Sequence, residues 1–89
     1  MISETTSRFW NAYAELPSSI KRRARKAYRL FIQNPNHPSL RFKKVHARRP
    51  IYSVRITRAY RALGVREGDT IIWFWIGSHD DYEQLLERM

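Results

Sequence analysis

Apolar positions along this chain change their spacing once, near its middle. Between Thr6 and Leu16, the residues Phe9, Ala12, Tyr13 and Leu16 recur at i, i+3, i+4 and i+7, one face of a helix. Pro17 ends that helix, and Ser18 or Ser19 is expected to cap the next one, which runs from about Ile20 to Gln33. Its stripe is Ile20, Ala24, Ala27, Tyr28 and Phe31, while Lys21, Arg22, Arg25, Lys26 and Arg29 lie largely off it. A turn this short makes the pair an antiparallel αα-hairpin. Pro35 and Pro38, in "QNPNHPS", break the second helix.

Beyond the prolines the period is two. In "IYSVRIT", residues 51 to 57, Tyr52, Val54 and Ile56 alternate with Ser53, Arg55 and Thr57. In "YRALGVR", 60 to 66, Arg61, Leu63 and Val65 alternate with Tyr60, Ala62 and Gly64. "REGDT" is a turn, and "TIIWFWIG" is apolar on both faces, as an interior strand is. "LRFKKVH" reads as a further strand, although Phe42 and Val45 are out of phase in it. The fold class is therefore α+β: an N-terminal αα-hairpin packed on one face of an antiparallel meander of about four strands, with a short C-terminal helix. No repeat, linker or low-complexity segment divides the chain, so residues 1–89 form one domain.

Composition removes several function classes. There is no cysteine, hence no disulfide framework and no thiolate metal site. No apolar run approaches the roughly 20 residues that span a bilayer. "MISETTSRFWNAY" lacks the basic start, apolar block and cleavage site of a signal peptide, so a cytoplasmic protein is expected.

Charge changes the picture more. The net charge is +9, and its distribution is uneven. Residues 21 to 61 hold fourteen Lys and Arg and no acid, whereas residues 62 to 89 hold two cations against six acids. Self-repulsion of this kind opposes folding, and points to a polyanion or an acidic protein as partner. Lys21, Arg22 and Arg23 even stand in the first turn of the second helix, where its dipole disfavours cations by about 0.3–1 kcal/mol each, and no local feature of the sequence offsets that.

The stretch "IGSHDDYEQLL" follows the last strand. Ser78 can cap a helix whose first turn carries Asp80, Asp81 and Glu83, so these acids need no catalytic role. Neighbouring Ser78, His79 and Asp80 cannot form a Ser-His-Asp triad. His79 and Glu83 at i, i+4 are only two ligands, so no metal is assigned. Trp73, Phe74 and Trp75 read as core.

The runs "LPSSIKRRARKAYRLFIQNPNHPSLRFKKV" and "YSVRITRAYRALGVREGDTIIWFWIGSHDDY" together resemble the RelE/ParE toxin superfamily of bacterial type II toxin-antitoxin modules. The resemblance extends from about residue 8 to 86. Its most specific parts are "NPNHPSLRFKKV", the aromatic-x-x-Arg-Ile strand at Tyr52 to Ile56, "YR" at Tyr60-Arg61, and "IGSHDDY". It implies a small α+β toxin neutralised by a cognate acidic antitoxin. RelE-like members cut mRNA in the ribosomal A site without metal or other cofactor. ParE-like members share the fold and inhibit DNA gyrase without catalysis. Members commonly open with a short strand, for which "MISETTS" is a poor sequence.

On the RelE-like side, the resemblance implies a metal-independent endoribonuclease acting on mRNA at the ribosome. Metal-free cleavage needs a group to take the 2′-hydroxyl proton, a cation for the phosphorane, and an acid for the leaving 5′-oxygen. Arg suits the second task and His the others. Basic residues of two strands contact the scissile phosphate in such toxins, which implies Arg61 first and Arg55 second. His79 matches the position of a catalytic His in some relatives, with Tyr82 to stack on or orient the substrate. Lys43, Lys44 and His46, with Arg22 and Arg25 of the second helix, are expected to bind RNA. The carboxylate base of some relatives has no counterpart, because no acid lies between Leu16 and Arg66. Two alternatives stay open: a gyrase-binding toxin, and a basic RNA-binding relic without activity.

Overall fold

A computed structural model describes residues 1–89. In chain order the elements are β1 (Ile2–Thr5), α1 (Ser7–Ala14), α2 (Ser18–Gln33), a 3-10 turn (Pro38–Leu40), β2 (Lys43–Lys44), β3 (Ile51–Thr57), β4 (Tyr60–Glu67), β5 (Thr70–Ser78) and α3 (His79–Arg88). The sheet order is β1-β5-β4-β3-β2, with β1 parallel to β5 and all other pairs antiparallel.

Strand alternation separates two cores. Val54, Ala62, Ile71, Trp73 and Ile76 face the helical hairpin and meet Leu16, Ala24, Ala27 and Phe31. Ile51 and Leu63 face the other way and meet Tyr82, with Trp75, Leu85 and Leu86 around them. The hairpin and α3 thus cover opposite faces of one sheet.

The sheet has a fifth strand, β1, where the sequence suggested none. Ile2–Thr5 is an edge strand, so it needs no alternating apolar pattern. Long-range bonds hold it instead. Ile2 N donates to Asp69 O at 2.8 Å, and Trp73 Nε1 donates to Ser3 Oγ at 2.9 Å. The Thr6 hydroxyl donates to Trp73 O at 3.1 Å and accepts from Phe9 N at 3.2 Å, so one side chain both caps α1 and ties it to β5.

Two local expectations change. Pro17, not Ser18 or Ser19, takes the N-cap position of α2, and both serines lie inside its first turn without a side-chain cap. Proline's fixed φ suits a helix start, and its C=O accepts from Ile20 N and Lys21 N at 3.0 Å. The cations of that turn do find one local partner, because Lys21 Nζ lies 5.6 Å from the centre of the Tyr13 ring.

The strand expected over "LRFKKVH" shrinks to Lys43–Lys44. Leu40 is only 1% exposed and belongs to the 3-10 turn, and Arg41 then takes a left-handed conformation, φ 47° and ψ 44°, which a strand cannot contain. The phase puzzle resolves with it. Phe42 packs on Phe31, ring centres 5.1 Å apart, in the hairpin-side core, while Val45 joins the α3-side core. Each residue serves a different layer.

Candidate active site at the β3–β4 turn

β3 and β4 meet in a turn over Arg58 and Ala59, and every candidate catalytic side chain gathers near it. The Thr57 hydroxyl accepts from Ala59 N at 3.1 Å, which tightens the turn. The pairing slips between Arg55 and Thr57, a bulge that seats Arg55 directly across from Arg61. On its other side Arg61 faces Gly77 of β5. A Cβ on Gly77 would stand 2.5 Å from the Trp75 ring, so the missing side chain is what lets that indole lie across the strand beside Arg61.

Arg61 is held firmly. Its Nη1 donates to Thr57 O at 2.6 Å, to Tyr60 O at 3.0 Å and to Arg58 O at 3.3 Å. Partial burial lowers its pKa from the ordinary arginine value; nearby Arg55 and Arg41 lower it too, and only Tyr82 acts in the opposite sense. The group stays charged at neutral pH, as guanidinium does in proteins. A cation is thus fixed beside the cations Arg55 and Arg41, an arrangement that favours an anion there.

α3 brings the other two groups. Ser78 Oγ caps it, accepting from Asp81 N at 3.2 Å. Its first residue is bonded to the turn itself, His79 N donating to Ala59 O at 2.8 Å. The His79 Nδ1 stands 3.4 Å from Glu83 Oε1, leaving Nε2 without a protein partner. The His79 and Tyr82 ring centres are 5.4 Å apart. Tyr82 is only 9% exposed and packs with Ile51 and Leu63, so its ring belongs to the core. Orienting neighbours, rather than stacking on a base, is the role its burial leaves open. His79 and Glu83 have no third His, Cys, Asp or Glu close enough to complete a metal site.

Of the residues expected to bind RNA, Lys43 lies on the same side of the sheet as the cluster. It pairs with Ser53, and so shares the sheet face of Arg55. Lys44 pairs with Tyr52 and belongs to the opposite face. His46 is engaged locally, its Nδ1 accepting from Arg48 N and Arg49 N at 3.1 and 3.0 Å to shape the turn before β3. Arg22 and Arg25 lie on α2, across the sheet from His79, and Arg25 donates to Tyr13 Oη at 2.7 Å. Sequence reading missed Arg41, whose charge reaches Arg61. Nothing in the pattern marks it, since its position depends on the left-handed turn after Leu40.

The sequence profile of the ParE-like toxin domain matches residues 18–84. The chain belongs to that family. This ParE-like chain also resembles solved toxin structures in fold. The RelB-RelE antitoxin-toxin complex from Methanococcus jannaschii contains a chain that superposes with a TM-score of 0.70 at 21% identity, over 92% of this chain and 96% of that one. YafQ from Escherichia coli strain BL21(DE3) gives 0.72 at 9% identity, over 90% and 94%. A YoeB/ParE toxin from Agrobacterium tumefaciens gives 0.66 at 15% identity, over 89% and 99%. Among curated protein sequences none matches.

The like-charged pair in this ParE-like domain carries a measurable consequence. Directly opposed charges of one sign destabilise a sheet by about 0.2–1 kcal/mol. Arg55→Gln is therefore expected to raise Tm by a few degrees, roughly 4–8 °C per kcal/mol in a domain of this size, while slowing any reaction at Arg61. Thermal denaturation followed by circular dichroism checks the first half. A fall in Tm would mean that Arg55 is a structural residue.

Proposed function

We propose that this protein is the toxin of a toxin-antitoxin module and cuts mRNA on the ribosome, in the cytoplasm, by metal-independent chemistry. One observation carries the reading: Arg61, anchored through Nη1, stands across from Arg55 and beside the strand end that presents His79. In the reaction the 2′-oxygen forms a bond to phosphorus, and the bond from phosphorus to the 5′-oxygen breaks. The products are a 2′,3′-cyclic phosphate and a 5′-hydroxyl. Arg61 and Arg55 neutralise the charge that builds on the non-bridging oxygens. His79 moves one of the two protons at Nε2, from the 2′-hydroxyl or to the leaving oxygen, and a water molecule carries the other, with Glu83 beside Nδ1.

A cognate antitoxin is the second partner. Solved neighbours include antitoxin-toxin complexes. This chain has a cleft of about 370 Å³ between the hairpin and the sheet, lined by Phe9, Trp10, Tyr13, Tyr28 and Trp73, with Arg25 and Arg29 at its rim. Trp10 is 52% exposed there. Apolar anchors beside cations suit an acidic segment that folds on binding. No helix of the structure is long and apolar enough to cross a membrane.

The family match itself favours a second reading, a noncatalytic toxin that binds DNA gyrase. One experiment tests both. Primer extension on cellular mRNA after induction should reveal new 5′ ends, and a supercoiling assay with purified gyrase should show no inhibition. Gyrase poisoning without mRNA cuts would replace the first reading with the second. A harmless product that does neither would be a relic.

A further inference from the structure

β2 covers β3 only at Tyr52 and Ser53, so the edge from Val54 to Thr57 has no strand beside it. Against that open edge lie α2 and the 3-10 turn, and between them runs a groove of about 770 Å³. Arg23 and Lys26 of α2, Arg41, Arg55 and Arg58 all line it, and no acid does. None of these five appears as a donor in a side-chain hydrogen bond or as a member of an ion pair within the chain. The groove opens toward the candidate active site, because Arg55 lines the one and faces Arg61 in the other.

Arg41 is the second, independent observation. It is the one residue other than glycine with a positive φ. Glycine takes that conformation freely, whereas a residue with a side chain pays for it in strain. Such strain collects where a side chain must meet a ligand. The left-handed turn sets Arg41 at the groove, which it lines together with Arg55.

We propose that this groove is a backbone-binding site for single-stranded RNA, leading the strand over the open edge of β3 to Arg61. It rests on the RNA-directed reading above. Phosphodiesters suit it better than a protein segment does. Five of its twelve lining residues are cationic and none is acidic, while the exposed aromatic anchors that an amphipathic helix needs sit in the adjoining cleft around Trp10 and Tyr28. Successive phosphates match several unpaired cations without requiring apolar contacts.

The test uses the full chain and a fluorescent 2′-O-methyl RNA oligonucleotide, which cannot be cut because its attacking hydroxyl is blocked. Binding is followed by anisotropy across a salt series. Two groove variants are compared with wild type: Arg41→Gly, and the double change Lys26→Gln with Arg58→Gln. Arg88→Gln, at the far end of α3, controls for net charge. With a salt slope of about 0.7 per phosphate, each lost contact weakens binding roughly fivefold at ~0.1 M salt and lowers the slope by the same ~0.7. Arg41→Gly should therefore bind less tightly while its Tm equals or exceeds wild type, since glycine relieves the strained turn. In cleavage the loss should appear in kcat/KM, while Arg88→Gln keeps the wild-type value.

Groove variants that bind like wild type, or no worse than Arg88→Gln, overturn the site. So does a wild type that ignores the RNA but binds polyglutamate through these residues, which would make the groove a protein-docking surface. Weakened RNA binding in groove variants of a protein that never cuts would uphold the groove and remove the endoribonuclease reading.

Discussion

Arg61→Ala is expected to cut mRNA on programmed ribosomes about 10²–10³-fold more slowly than wild type, the loss typical when one preorganised donor to a developing oxyanion is removed. Ribosome affinity should change far less, because the other cations between residues 21 and 61 remain. The reason lies in how the side chain is mounted. Its Nη1 is committed to the carbonyls of Thr57, Tyr60 and Arg58, so the rest of the guanidinium is presented at a fixed place. That placement costs no reorganisation when charge appears on the phosphorane. Arg61→Lys should rescue little. One ammonium cannot hold the turn carbonyls and also offer a planar fork to phosphate. Losing those turn bonds also threatens the fold, so circular dichroism and Tm must accompany the rates. A folded Arg61→Ala that cuts at the wild-type rate would remove Arg61 from the chemistry.

Why Arg61 was visible in the sequence, and its mounting was not, is a matter of range. Two alternating strands and a two-residue turn between them are read locally, but regular pairing from Thr57 and Tyr60 would set Arg61 across from Ile56, and only the slip between Arg55 and Thr57 brings Arg55 opposite it. The helices of the hairpin were equally legible, because a stripe at helical spacing and Pro17 between two such stripes have local causes. β1 was not. Ser3, Glu4 and Thr5 carry no apolar alternation, and what holds the strand is Asp69 and Trp73, far along the chain. β2 was overread because the left-handed turn at Arg41 has no signature when the residue is not glycine. The basic residues divide in the same way. Their charge is read directly, but whether each faces solvent, a ring or a carbonyl depends on tertiary contacts. Arg25 meets the Tyr13 hydroxyl, and the His46 ring caps a turn. Neither contact follows from spacing.

His79→Ala is expected to lose about 10²–10⁴-fold in the same assay, the range for a positioned acid or base. Two features of the structure make it the best proton carrier near Arg61. The backbone N–H of His79 is bonded to Ala59 O in the very turn that anchors Arg61, so one short loop sets the distance between the two groups. Glu83 Oε1 lies 3.4 Å from Nδ1, which leaves Nε2 as the ring nitrogen free to meet substrate. Glu83→Gln should therefore slow the reaction less than His79→Ala does, since the ring stays in place and only its orientation and charge are disturbed. Tyr82→Phe should be milder again, because the ring's packing against Ile51 and Leu63 survives the loss of the hydroxyl. A severe loss in Tyr82→Phe would instead give that hydroxyl a direct part. Added EDTA should leave the rate unchanged once ribosome integrity is controlled for, as no step of the proposed chemistry passes through a metal. The ordering is the test: His79→Ala worst, Glu83→Gln intermediate, Tyr82→Phe least, all with wild-type circular dichroism. If folded His79→Ala cuts as fast as wild type, the proton must move through another group. The absence of any acid between Leu16 and Arg66, and the engagement of His46 Nδ1 by its own turn, leave few groups able to take its place.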